Sequence, residues 1–115
     1  MPKKWYKHWV AESLRGTIRF DLTSEERGVW WDLLAMAAES RHESYIAPNE
    51  EEGYPDTWIA ATLNIPLNLL KRVIEKNEVS GRIERTPLGL HIINWGKYQS
   101  EYERQKPYRQ KTKEE

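Results

Sequence analysis

The chain has no cysteine, a single phenylalanine and no excess charge of either sign. Without cysteine there is no disulfide, thiolate metal site, cysteine nucleophile or thiol redox switch, a pattern that suits a reducing compartment. No apolar run approaches the ~20 residues of a membrane span, and the opening MPKKWYKHWV has no apolar stretch of the kind a secretory signal needs. Both features lead us to expect a cytoplasmic protein with no membrane partner. Eighteen Lys and Arg balance eighteen Asp and Glu, which excludes a polycation that holds nucleic acid by bulk charge. Any such role must rest on a local patch.

Enzymatic motifs are missing too. His8, His42 and His91 lack metal-ligand spacing, and Glu50, Glu51 and Glu52 are consecutive, so their side chains splay along a solvated loop. Gly96-Lys97 is not a phosphate loop, because position 91 is His where glycine is required and Tyr98 stands where Ser or Thr would ligate magnesium. No nucleophile elbow or paired-carboxylate motif occurs. The expectation is a non-enzyme with no cofactor and no metal.

What is present is enough for one domain. The chain has 115 residues, and its six tryptophans supply much of the core-forming area. A short helix is expected over 8–15, stopped by Gly16. Ile18, Phe20 and Leu22 alternate with Thr17, Arg19 and Asp21, which predicts a half-buried extended segment over 17–22. Thr23 with Glu26 forms a capping-box signature, and Trp30, Leu33, Leu34 and Ala37 then repeat at helical spacing to about Ser40, against the cost of Gly28. Within the polar stretch 41–54 only Tyr45-Ile46-Ala47 could pair as a strand. A second long helix starts near Asp56 or Thr57, either of which could cap it, and ends at Asn64-Ile65-Pro66. A third runs from Pro66 to about Lys76, with Leu67, Leu70, Val73 and Ile74 inward and Asn77 as its left-handed end. A hairpin follows, 82–85 and 90–95 around Thr86-Pro87-Leu88-Gly89. The domain is assigned to 1–99, and the aliphatic-free 100–115 reads as a charged linker or tail.

Two helices joined by a three-residue turn and followed by a hairpin make a winged helix-turn-helix: mainly α (α+β), a three-helix core with a C-terminal β-hairpin wing. The segments ERGVWWDLLAMAAES (26–40), WIAATLNIPLNLLKRVIEK (58–76) and INWGKYQSEYER (93–104) resemble the N-terminal winged-helix domains of phage replication initiation proteins. These are replisome organisers related in scheme to DnaD-like primosome proteins, and the resemblance spans roughly residues 4 to 104. It implies DNA binding in replication initiation, self-association into a homo-oligomer, and contact with a helicase or other replisome proteins through a second domain beyond the tail.

A helix fits the major groove of DNA, where Asn pairs bidentately with adenine and Arg with guanine. On the third helix Asn68 and Arg72 are four residues apart and share one face, while Lys71 and Lys76 suit phosphates. The competing reading is an ordinary solvated face with Glu75 paired to Lys71. Arg82 and Arg85 would support a wing on the sugar–phosphate backbone, or merely blunt a hairpin edge. Lys3, Lys4 and Lys7 interleave with Trp5, Tyr6 and Trp9, a pattern that either stacks on unpaired bases or packs on the core with lysines snorkelling outward. Charge is segregated: residues 1–22 hold five Lys and Arg against two acids, 23–64 two against nine, and 65–115 eleven against seven. Three to four phosphate contacts on the basic ends would give a salt slope of about −3.

Trp30 and Trp31 lie about 100° apart on a helix, so only one can face the core. Trp31, together with Trp58, is therefore a candidate for self-association or protein contact. Trp95 and Tyr98 are expected to anchor the tail. A module that serves oligomerisation, or a small transcriptional regulator of the same fold, are the rival functions.

Overall fold

In the computed structural model, residues 5–8 and 10–96 are described. Lys3, Lys4, Trp9, Lys97, Tyr98 and the tail 100–115 lie outside the described residues. The element order is α1 (Val10–Arg15), α2 (Thr17–Asp21), α3 (Ser24–Glu39), β1 (Tyr45–Ile46), α4 (Asp56–Leu63), α5 (Leu67–Val79), β2 (Ile83–Thr86) and β3 (Gly89–Ile92).

The capping box forms as the sequence implies. The Glu26 backbone N–H donates to Thr23 Oγ1 at 3.2 Å, and the Thr23 N–H donates to Glu26 Oε1 at 2.8 Å. α3 then buries Val29, Trp30, Leu33, Met36, Ala37 and Ala38. These pack against Ile59 and Ala60 of α4, Leu69, Leu70, Val73 and Ile74 of α5, and the inner face of the sheet. α4 and α5 are joined by a tight turn in which Asn64 adopts the left-handed conformation (φ 56°, ψ 49°). Its N–H donates to the Ala61 carbonyl and that of Ile65 to the Ala60 carbonyl. The three strands are antiparallel in the order β1-β3-β2. Ile46, Ile83, Leu90 and Ile92 are buried in the core, whereas Tyr45, His91 and Glu84 stand abreast in register across the three strands. Helix, strand, two helices and hairpin give an α+β, winged-helix-like fold.

Four local expectations are corrected. The segment 17–22 is not extended: Thr17–Asp21 is helical, so Ile18 and Leu22, four apart, face inward together while Phe20 is 79% exposed. No described strand pairs with it, and an extended run would leave backbone donors unpaired, whereas here Arg19 N–H reaches Gly16 O and Leu22 N–H reaches Ile18 O. α4 is not capped by Asp56 or Thr57. Pro55 occupies the N-cap with no side-chain hydrogen bond, and Asp56 is drawn instead to Arg85. α5 continues past Lys76 to Val79, and Asn77 is fully buried inside it rather than ending it. The Asn77 amide donates to the Val73 carbonyl at 2.8 Å, which keeps it compatible with helix. Finally, the inner stripe of α5 includes Leu69, while Leu67 packs only on its margin.

Candidate nucleic-acid interface

The inner side of α5 is fixed by Leu69, Leu70, Val73 and Ile74, and this turns Asn68, Lys71, Arg72 and Glu75 to solvent. Asn68, Lys71 and Arg72 therefore stand together on the exposed side of the second helix of the pair. Lys76, one turn beyond Arg72, is half-buried.

Arg72 and Lys76 converge on one carboxylate. Arg72 Nε donates to Glu26 Oε2 at 2.7 Å and Lys76 Nζ donates to Glu26 Oε1 at 2.7 Å. The Glu26 side chain is 1% exposed, against 47% for Arg72 and 40% for Lys76. Burial pushes the Glu26 carboxyl upward. Hydrogen bonds from Lys76, the Thr23 backbone and Arg72, with the Lys76 charge, outweigh that and hold it down at about 2.

The hairpin arginines turn toward neighbouring helices. Arg82 at the root of β2 donates from Nη1 to Asn77 Oδ1 (3.0 Å), and from Nη2 to Thr17 Oγ1 (2.8 Å) and Asp21 Oδ2 (2.7 Å). With its side chain only 12% exposed, it ties the hairpin to α5 and α2. Arg85 makes a two-pronged pair with Asp56 at the start of α4, at 3.1 and 2.7 Å. Those hydrogen bonds, only partly countered by burial, raise its pKa further. The acidic partners Asp21, Glu26 and Asp56 were not among the residues the sequence singled out as site residues. Glu26 could be read only as a cap, because its pairing with Arg72 and Lys76 spans 46 and 50 residues.

Trp30 is buried and Trp31 only half-buried, packed against the core margin. The His8 ring meets Trp31 edge-on at 5.3 Å, and the Tyr6 hydroxyl donates to the Trp31 carbonyl at 3.2 Å. Burial, and then the Asp32 charge, push the Tyr6 phenol up. The N-terminal aromatics thus diverge: Tyr6 packs on the core, whereas Trp5 is 70% exposed. Lys7 lies beside a cavity of about 200 Å³ walled by Trp30, Trp31, Trp95, Ile18 and Arg82. Trp58, 42% exposed, stacks on Tyr54 with centroids 3.8 Å apart and planes 8° from parallel. Trp95 is buried. No group of three His, Asp or Glu among the described residues is placed to hold a metal ion, and no described helix is long and apolar enough to cross a membrane.

The chain matches the N-terminal phage replisome organiser family model over residues 24–115, from the first residue of α3 onward. Searches of curated proteins and of solved structures return no significant match.

Proposed function

The chain belongs to the N-terminal phage replisome organiser family, and from that premise we propose that this domain binds duplex DNA in the initiation of phage replication, with α5 in the major groove and the β2–β3 hairpin beside it. The family supplies the role in phage replication. The observation that carries the finer reading is the exposed side of α5, where Asn68, Lys71 and Arg72 share one helical face behind a tight two-helix turn. In that role Asn68 reads a base edge, Arg72 reads guanine or holds phosphate, and Lys71 holds phosphate. The domain acts by binding rather than catalysis. Its isolated affinity is modest, because Arg72, Lys76, Arg82 and Arg85 each already face a carboxylate.

Fluorescence anisotropy with duplex DNA across a salt series tests this. Lys71→Glu is expected to weaken binding to all sequences and to flatten the salt slope by about 1, and Asn68→Ala to reduce preference among sequences. Affinity unchanged at low salt in both variants would remove the reading.

A second reading is favoured by the exposed, stacked Trp58 and the half-buried Trp31: these surfaces serve self-association or contact with other replisome proteins. Sedimentation of a monomer at high concentration, together with tight duplex binding, would eliminate it.

A further inference from the structure

We infer that Glu26 is a positioning residue of the proposed DNA interface: by holding Arg72 and Lys76 from inside the protein, it fixes both their orientation and the positive charge that α5 offers to phosphate. The inference rests on the duplex-binding reading above and deepens it.

The geometry is one-sided. Oε1 accepts from Lys76 Nζ at 2.7 Å and from the Thr23 N–H at 2.8 Å, and Oε2 accepts from Arg72 Nε at 2.7 Å. The acceptor is enclosed while both donors extend into solvent, with exposures of 1%, 40% and 47% for Glu26, Lys76 and Arg72. Arg72 is gripped by Nε alone. Among the described residues, no hydrogen bond engages its two terminal amino groups, which are the fork that matches guanine or phosphate.

The arginine–carboxylate pairings of the hairpin differ in kind. Beside Arg82 the Asp21 carboxylate is 47% exposed, and beside Arg85 those of Glu78 and Asp56 are 39% and 18% exposed, against 1% for Glu26. A carboxylate that reaches solvent is rehydrated when its cation moves to phosphate, so these release a cation at lower cost than an enclosed one does. Glu26 has no such exit. Losing both cations would leave a bare charge in the interior, which is strongly unfavourable. The Glu26–Arg72–Lys76 triad therefore stays assembled on DNA and contributes one net positive charge in place of two.

The test is Glu26→Gln, which keeps size and a carbonyl acceptor but removes the charge, with duplex binding followed by anisotropy across a salt series and the fold checked by circular dichroism. The slope of log K against log salt is expected to steepen by about 1, with affinity at 0.1 M salt rising about tenfold. An unchanged or shallower slope in the folded variant overturns the inference. A merely structural role for Glu26 would lower stability and leave the slope alone. Should Glu26→Gln not fold, the triple variant Glu26→Gln, Arg72→Met, Lys76→Met carries no buried charge and decides the matter. Its slope is expected to be shallower than that of the parent by about 1, and a slope equal to the parent's refutes the triad's contribution. Lys71→Glu, run in parallel, separates the two ideas. If it too leaves binding unchanged, the duplex reading itself has failed; if it weakens binding while Glu26→Gln leaves the slope alone, only the role of Glu26 has failed.

Discussion

Arg82 reaches back across the start of the hairpin to the buried side chain of Asn77, donating from Nη1 to Oδ1 at 3.0 Å, while the Arg82 backbone N–H donates to the Asn77 carbonyl at 2.8 Å. One residue thus stitches helix α5 to strand β2 through both its main chain and its side chain. Asn77→Ala removes the side-chain amide and with it the bonds to the Val73 carbonyl and to the Arg82 guanidinium. Its expected cost is roughly 2 kcal/mol in urea denaturation, with an unchanged m-value. A loss below about 0.5 kcal/mol would show that the stitch contributes little.

The Glu26 carboxyl makes stability pH-dependent with a definite sign. Its folded value, about 2, lies below the ordinary 4.5, so the unfolded chain takes up the proton first as acid is added. The contribution is fully present above about pH 4.5 and is lost progressively as pH falls toward 2. Thermal melts between pH 6 and pH 2.5 are expected to show this decline, and Glu26→Gln should lower stability at pH 6 and flatten the curve below pH 4.5.

Three glycines divide in their response to alanine. Gly28 sits inside α3 with open space where a Cβ would go, so Gly28→Ala is expected to stabilise by up to about 1 kcal/mol. Gly53 lies against Gly89, whose own φ is +112°. A Cβ on Gly53 would strike the Gly89 backbone, and one on Gly89 would come within 2.9 Å of Gly53 Cα and of the Ile46 carbonyl oxygen. Either substitution is expected to destabilise by about 2 kcal/mol or more. Melting temperatures of the three single variants check all of this at once.

Phe20→Ser separates helix from strand in the segment 17–22. With the ring 79% exposed, the change should move stability by no more than about 0.5 kcal/mol. A loss of 2 kcal/mol or more would mean that the ring is packed.

That segment illustrates what the sequence could and could not convey. Local signals came through: the Thr23–Glu26 box, the Trp30-Leu33-Ala37 stripe, the break at Asn64-Ile65-Pro66 and the Thr86–Gly89 turn each depend on residues a few positions apart. Ile18, Phe20 and Leu22 alternate as a strand would, yet a strand needs a pairing partner, and β1, β3 and β2 pair only with one another. Pairing between distant residues was out of reach. Nothing in the spacing of Arg72, Arg82 or Arg85 announces that Glu26, Asp21 and Asp56 will meet them, so cations that read as candidate DNA contacts also serve as ties within the fold. Asn77 misled for a related reason. Its side chain suits a helix end, and only the arrival of Arg82 from the next turn makes it worth burying.

The rings of His42, Tyr45 and His91 form a column, with centroids 4.0 and 4.4 Å apart, and Glu84 closes it through a 2.8 Å contact to His91 Nδ1. The column runs perpendicular to the strands, so it braces the sheet sideways where the ladder is shortest. A two-residue strand would ordinarily fray ahead of its neighbours, but β1 cannot lift away without unstacking the Tyr45 phenol from the His91 imidazole. Amide protons at the β1 edge should accordingly exchange with deuterium at rates close to those of β3, and the loop that follows at 49–52 should exchange far sooner.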